Sequence, residues 1–415
     1  MNRRTRRVAS LWMVALLILT NSLLSGVHAS AQAETATRVL SIDGDTGDAT
    51  ILDGTSGEIV GQFTTGATGF TPVYASEDGR YFFINHYEGE HVTFIDSGLS
   101  TEPHGDHVDL VAESPFVRAT LPLGSGAAHA WAHDGRIIIV HDVDGTIAVF
   151  DEDQLATDLA PAATFSIEPE EHAAIATIGD SLLVAYYGLG RIDVWSLDGT
   201  LEQKNLATCT GAHGEAQVSE TIYFGCGEGI VGVSQDPSGA FVTETIPYPG
   251  EDGAMLEAAT PAAAESPRAS TLASHEDSPV FVGDYGAGLT MVDPETGTMN
   301  VLDLPAAPLA FQFASTGDQL VVLTDDGNVH GIDPGAGEIV WSVESVTPYS
   351  ELQANDEEFH LYPFITVAGS FAYIPDPGTG EIVAIDTDRG EIVDRYEVGG
   401  SPARVVAIVS SGVDH

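Results

Sequence analysis

The sequence predicts an all-β chain folded as a propeller of eight four-stranded blades, with the ring closed by its last strand. Three observations predict it. First, one unit recurs eight times: turn, apolar strand, Gly-rich turn, apolar strand, then an Asp-led turn. It is read at 38–54, 79–98, 135–151, 179–199, 220–236, 278–297, 317–335 and 369–390. Second, no long amphipathic helical pattern interrupts these units. Third, the chain ends on a lone apolar run at 403–409 with no hairpin after it. A seven-bladed ring is the alternative if one unit is irregular.

The elements follow in chain order. Residues 1–33 read as a secretory signal peptide. Arg3, Arg4, Arg6 and Arg7 form the basic start, residues 11–20 the apolar core, and Ala31-Gln32-Ala33 the small-residue cleavage site. Residues 34–415 are then expected to form a single propeller domain. The first unit has no inner strand ahead of it, so the run at 403–409 is expected to supply one and leave no open sheet edge. In each unit the Asp is expected to accept backbone N–H bonds while Gly supplies positive φ, as in Asp293…Gly297, Asp333…Gly337 and Asp386…Gly390. Three stretches break the period. Residues 97–116 carry a His-rich tract, 250–270 are Ala/Glu/Pro-rich and read as a flexible surface loop, and 343–360 are polar and acidic.

Composition narrows the function classes. There are 62 acidic residues against 14 basic ones, for a formal net charge of −48, and Lys204 is the only lysine. Such a balance argues against nucleic acid, whose phosphates need basic partners. It suits a solvated extracytoplasmic surface. No second apolar span follows the signal, so no stable membrane span is expected after cleavage, and the mature chain is expected to be a monomer. Cys209 and Cys226 are the only cysteines, and an even pair in an exported chain reads as a disulfide. No nucleophile elbow, phosphate loop or dinucleotide fingerprint occurs.

The histidines carry the functional signal. His129, His172 and His213 follow one another at steps of 43 and 41 residues, the spacing of one blade. Equivalent positions on successive blades point at the same place, so the three imidazoles are expected to converge at the mouth of the central channel. Three convergent imidazoles suit Zn²⁺. The bland alternative is three unrelated surface or capping histidines. The fourth ligand is left open among water, a carboxylate and His360. His213 lies inside the loop that Cys209 and Cys226 would close. A second tract, His104-Gly-Asp106-His107-Val-Asp109, can chelate Zn²⁺ weakly from a loop expected toward the opposite face. His86 and His91 sit in a turn on the His129 face, where a surface role is expected, and His141 and His330 are read as strand or turn surface positions. A ligating imidazole must be neutral, so affinity is expected to fall as pH drops through about 6.5.

With these residues in place, the chain resembles the AztD-type zinc metallochaperones of bacterial periplasmic zinc import. The resemblance is carried by the Pro103-His104…Asp109 tract, by Cys209…His213-Gly-Glu215-Ala216 with its partner Cys226, and by the spaced His129 and His172. It implies a non-enzymatic β-propeller that binds Zn²⁺ and passes it to the solute-binding protein of a zinc ABC transporter. It also implies metal binding at His129, His172 and His213, with a secondary or transfer role for His104 and His107. The competing expectation is a metal-dependent propeller hydrolase, lactonase-like, using the same site as a Lewis acid.

Overall fold

The computed structural model describes residues 35–66, 69–105, 107–169, 171–249, 268–353 and 363–412. The expected signal peptide and most of the Ala/Glu/Pro-rich stretch lie outside the described residues. Among the described residues the strands form eight antiparallel four-stranded sheets, the blades of a propeller. The repeat units are the middle pairs of these sheets: Tyr81–His86 with His91–Asp96, Arg136–His141 with Thr146–Asp151, and Phe371–Asp376 with Glu381–Asp386 among them. Their Asp-led turns behave as expected. Asp293 Oδ1 accepts from the N–H groups of Glu295 and Thr296, and Asp386 Oδ1 from Arg389 N–H.

Only the first blade breaks chain order. Thr35–Asp43 and Ala49–Asp53 are its middle strands, and its innermost strand is Pro402–Ser411 from the other end of the chain. That strand pairs antiparallel with Thr35–Asp43, from Ser411 opposite Thr35 to Pro402 opposite Asp43. The ring is thus closed at eight blades by the strand that the sequence left unpaired.

The core lies between blades, because alternate side chains of each strand face opposite neighbours. Phe82 and Ile84 pack toward the first blade with Leu40, Ile42 and Ile51. Phe83 and Phe94, on the opposite face of the same sheet, pack toward the third blade with Ile137 and Ile139. All of these are fully buried, each contributing about 1.5–3 kcal/mol through burial.

Each blade's innermost strand starts on one common face of the disc. Ala127–His133, Ala173–Ile178 and His213–Val218 are such strands in the third, fourth and fifth blades, and they neighbour one another around the channel. The His86–His91 turn lies on that face too, since Tyr87 O accepts the N–H of Gly126, just ahead of Ala127.

Four expectations change. The 97–116 stretch is not an irregular loop: Leu99–His104 and His107–Ala112 pair as a two-stranded hairpin. His86, His141 and His330 are buried rather than at the surface. Their strands press both faces against neighbouring blades, and nearby oxygens satisfy ring nitrogens: Thr93 Oγ1 for His86, Thr146 O for His141, Ser342 Oγ for His330. Burial first, and His91 second, push the His86 imidazole down to about 4.

A chain ending at residue 401 keeps every repeat hairpin yet leaves Thr35–Asp43 as an open edge. We expect that chain to aggregate or to lose cooperative thermal unfolding, read by circular dichroism and size-exclusion chromatography. A monodisperse truncation melting at the full-length temperature contradicts the closure account.

Candidate metal centre

The three blade-spaced histidines do converge. His129 is the third residue of Ala127–His133, His172 immediately precedes Ala173–Ile178, and His213 opens His213–Val218. Their ring centroids stand 4.7 Å (His129–His172), 5.0 Å (His172–His213) and 5.5 Å (His129–His213) apart. One nitrogen from each lies within 4.8 Å of the other two. A tetrahedral zinc sets its nitrogens about 3.3 Å apart, and His129 Nε2 and His172 Nε2 already stand 3.0 Å apart. No described carboxylate, cysteine or further imidazole joins the group within that radius. His360, a candidate fourth ligand, lies outside the described residues.

Local backbone features aim these rings. The pairing register shifts between Ala127 and His129, and again between His213 and Glu215. Such bulges turn a side chain out of the regular pleat. At the second bulge Gly214 has φ +68°, and a Cβ there would stand 2.6 Å from the Ser270 carbonyl oxygen. Only glycine lets the strand approach so closely. The approach matters because that carbonyl accepts the Nδ1–H of His213 at 2.6 Å. Asp284 in turn fixes Ser270, accepting from its N–H at 2.6 Å and its hydroxyl at 2.7 Å.

His172 is held in the same manner, its Nδ1–H donating to Asp142 Oδ2 at 2.6 Å. Both rings therefore turn Nε2 lone pairs inward. A carboxylate or carbonyl behind an imidazole fixes its tautomer and raises its basicity as a ligand. With the His172 proton on Nδ1, the 3.0 Å contact between His129 and His172 needs a proton from His129 Nε2. A bound cation would take that proton's place.

The electrostatics favour neutral rings. His129 is held well below the ordinary imidazole value, first by burial and then by the nearby His172 and His213. His213 is also lowered, by burial first; the Ser270 carbonyl and Asp284 oppose this, and His172 and Arg268 add to it. Burial raises Asp142, and its bond to His172 pulls the other way. Two positions along the wall, Glu215 is pushed up to about 8 by burial.

Cys209 and Cys226 are bonded, with Cα atoms 4.8 Å apart, and both are fully buried. The bridge ties the segment entering His213 to the neighbouring strand Thr221–Cys226. Tyr187 lies edge-on to His172 at 6.2 Å, and Arg268 sits over the Tyr187 ring at 5.2 Å.

The second tract is separate. His104 and His107 face each other at the tip of their hairpin, with rings 5.1 Å apart, and they share Asp109: His104 Nδ1 to Oδ2 at 2.9 Å, His107 Nε2 to Oδ1 at 3.1 Å. All three are exposed or half-buried. Asp106 lies outside the described residues. The hairpin leaves its blade beyond Asp96, which pairs with Tyr81 at the blade end away from the His86–His91 turn. It therefore emerges on the face opposite His129, His172 and His213, as expected, and packs beside the first blade's closing strands.

Sequence reading missed Asp142, Ser270, Asp284, Tyr187 and Arg268. Asp142 had a legible signal, a strand-end acid one blade ahead of His172. Ser270 lies 57 residues from His213, just past the irregular stretch, and nothing local marks it.

Fold and site together define a β-propeller with a half-buried three-imidazole centre at one mouth of its channel. Comparison with known proteins agrees. The chain is 25% identical to the zinc chaperone AztD of Citrobacter koseri over 391 residues, 92% of this chain and 88% of that protein. The crystal structure of Citrobacter koseri AztD superposes with a TM-score of 0.79 at 25% identity, covering 92% of this chain and all of that one. Its apo form gives 0.77 at 22% identity, over 91% and 99% of the two chains. The resemblance to AztD-type proteins holds along the length of the propeller. A dihydro-heme d1 dehydrogenase, NirN, shares the fold alone, at a TM-score of 0.58, 17% identity, 89% of this chain and 74% of that one. The family described as outer membrane protein assembly factor BamB matches residues 251–413. That span holds the last blades and the closing strand, and none of His129, His172 and His213.

Reducing the Cys209–Cys226 bridge frees a short loop, so we expect a stability loss of about 2–4 kcal/mol together with weaker metal binding at His213. Urea unfolding and metal titration with and without reductant measure both. Two titratable thiols in denatured, unreduced protein would show that the bridge is absent.

Proposed function

We propose that the chain is an extracytoplasmic zinc metallochaperone that loads Zn²⁺ on His129, His172 and His213 and delivers it to the solute-binding protein of a zinc ABC transporter. The observation that carries this reading is the group of three Nε2-presenting imidazoles, two of them pinned from behind. Similarity to the zinc chaperone AztD along 92% of the chain supports it. Export through the basic and apolar segment at 1–33 fits the two buried, bonded cysteines.

Chaperoning needs ligand exchange, not turnover. Neutral imidazoles bind without first losing a solution proton at neutral pH. Three protein ligands leave a fourth position at which an acceptor's side chain can enter before the imidazoles leave one by one. The hairpin bearing His104, His107 and Asp109 is read as a second, weaker zinc site on the opposite face, exposed enough for rapid exchange. A hydrolase built on a hard cation would call for a carboxylate-rich centre, and the described group is imidazole alone.

Replacing His172 with Ala is expected to abolish high-affinity zinc binding in a competitive chelator titration. Asp142→Ala keeps every ligand, so its affinity is expected to fall by roughly 10–100-fold. Full-affinity binding by the His172 variant would move the zinc site elsewhere. The double change His104→Ala, His107→Ala is expected to leave the tight event intact and slow a timed transfer to the acceptor protein. A transfer rate equal to wild type would remove the hairpin from delivery.

A further inference from the structure

The chain carries few cations, and most of the described ones face a carboxylate: Arg38 with Asp53, Arg80 with Asp96, Arg191 with Asp193. Arg268 does not. Its guanidinium donates to the Gly211 carbonyl within the disulfide-closed loop, lies over the Tyr187 ring at 5.2 Å and approaches the Tyr187 hydroxyl at 3.5 Å. Tyr187 stands edge-on to His172, and two residues beyond Arg268 the Ser270 carbonyl holds His213. A fixed positive charge is thus clasped beside a centre suited to a divalent cation. Asp284, which bonds to the same segment, is engaged by the N–H groups of Ser270 and Thr271 and the Ser270 hydroxyl.

We infer that Arg268 is a release-determining residue of this centre: its charge limits how tightly a divalent cation is held and keeps that cation exchangeable. Asp142 supplies the opposing term, a buried carboxylate bonded behind His172. Asp142 behind His172 and Arg268 beside Tyr187 thus set charges of opposite sign at the imidazoles, with Asp284 a further carboxylate behind Ser270. One draws the cation in, and the other keeps the well shallow enough for an acceptor to compete. A pure carrier has use for such a residue, because any affinity beyond the acceptor's traps the cargo. A storage protein would gain from a neutral side chain at the same place. This role rests on the zinc reading of the three histidines.

The test separates charge from clasp. Full-length wild type, Arg268→Gln, Arg268→Lys and His172→Ala are titrated with Zn²⁺ against a fluorescent chelator, and zinc release into excess EDTA is timed. Arg268→Gln is expected to bind about tenfold tighter, about 1.4 kcal/mol, and to release correspondingly more slowly. Arg268→Lys keeps the charge and is expected to stay within about twofold of wild type. If Arg268 served only as a clasp, both substitutions would weaken binding. That result, or an unchanged Gln variant, overturns the role. Should the Gln variant melt lower than wild type without metal, Arg268→Met keeps an apolar stem on Tyr187, and the same outcomes are read from it. His172→Ala reports on the underlying reading: loss of tight binding upholds the centre, and retention removes both the centre and the role of Arg268.

Discussion

Closure of the ring by the pairing of Pro402–Ser411 with Thr35–Asp43 is the constraint on which the rest depends. A blade cannot choose its angle to its neighbour independently once the last is hydrogen-bonded to the first. The eighth blade also reaches across the seam, where the Tyr373 hydroxyl donates to the Gly54 carbonyl at 3.0 Å. With the angles fixed, the starts of three consecutive inner strands come together at one mouth of the channel. His129, His172 and His213 need no contact in sequence to meet. The three-imidazole cluster is thus a consequence of the ring's geometry before it is one of local design.

Local design then sets the chemistry. A propeller alone brings three rings together without deciding which nitrogen faces inward. Asp142, Ser270 and the bulges at His129 and His213 decide it. Burial lowers the His129 and His213 imidazoles and so favours their neutral forms. The result is a site on rigid strands with its tautomers set in advance, which lowers the reorganisation needed at capture. The hairpin has the reverse character: its His104 and His107 both already bond to Asp109, and the group is exposed or half-buried.

Legibility in the sequence followed the range of the information. The blade count came from a local pattern, the hairpin with its Asp-led turn, repeated until the closing strand was left over. The convergence of the three histidines was legible because repetition turns a sequence interval into a spatial coincidence. The residues behind them were not. Asp142 reaches His172 across a blade boundary, and Ser270 reaches His213 after the stretch where the period breaks down, so neither carries a spacing. His86, His141 and His330 were misplaced for a related reason. Alternation shows that a strand has two faces, but only the packed ring reveals that both are covered. The 97–116 stretch looked irregular because the polar residues of a solvent-exposed hairpin lack the apolar alternation that marks a buried strand.

Anomalous diffraction at the zinc edge, from crystals of full-length protein loaded with one equivalent of Zn²⁺, tests the central claim most directly. The account predicts one dominant peak about 2.0–2.1 Å from the Nε2 atoms of His129, His172 and His213. A dominant peak at the His104–His107 hairpin, or one that leaves these three imidazoles unmetallated, would contradict it.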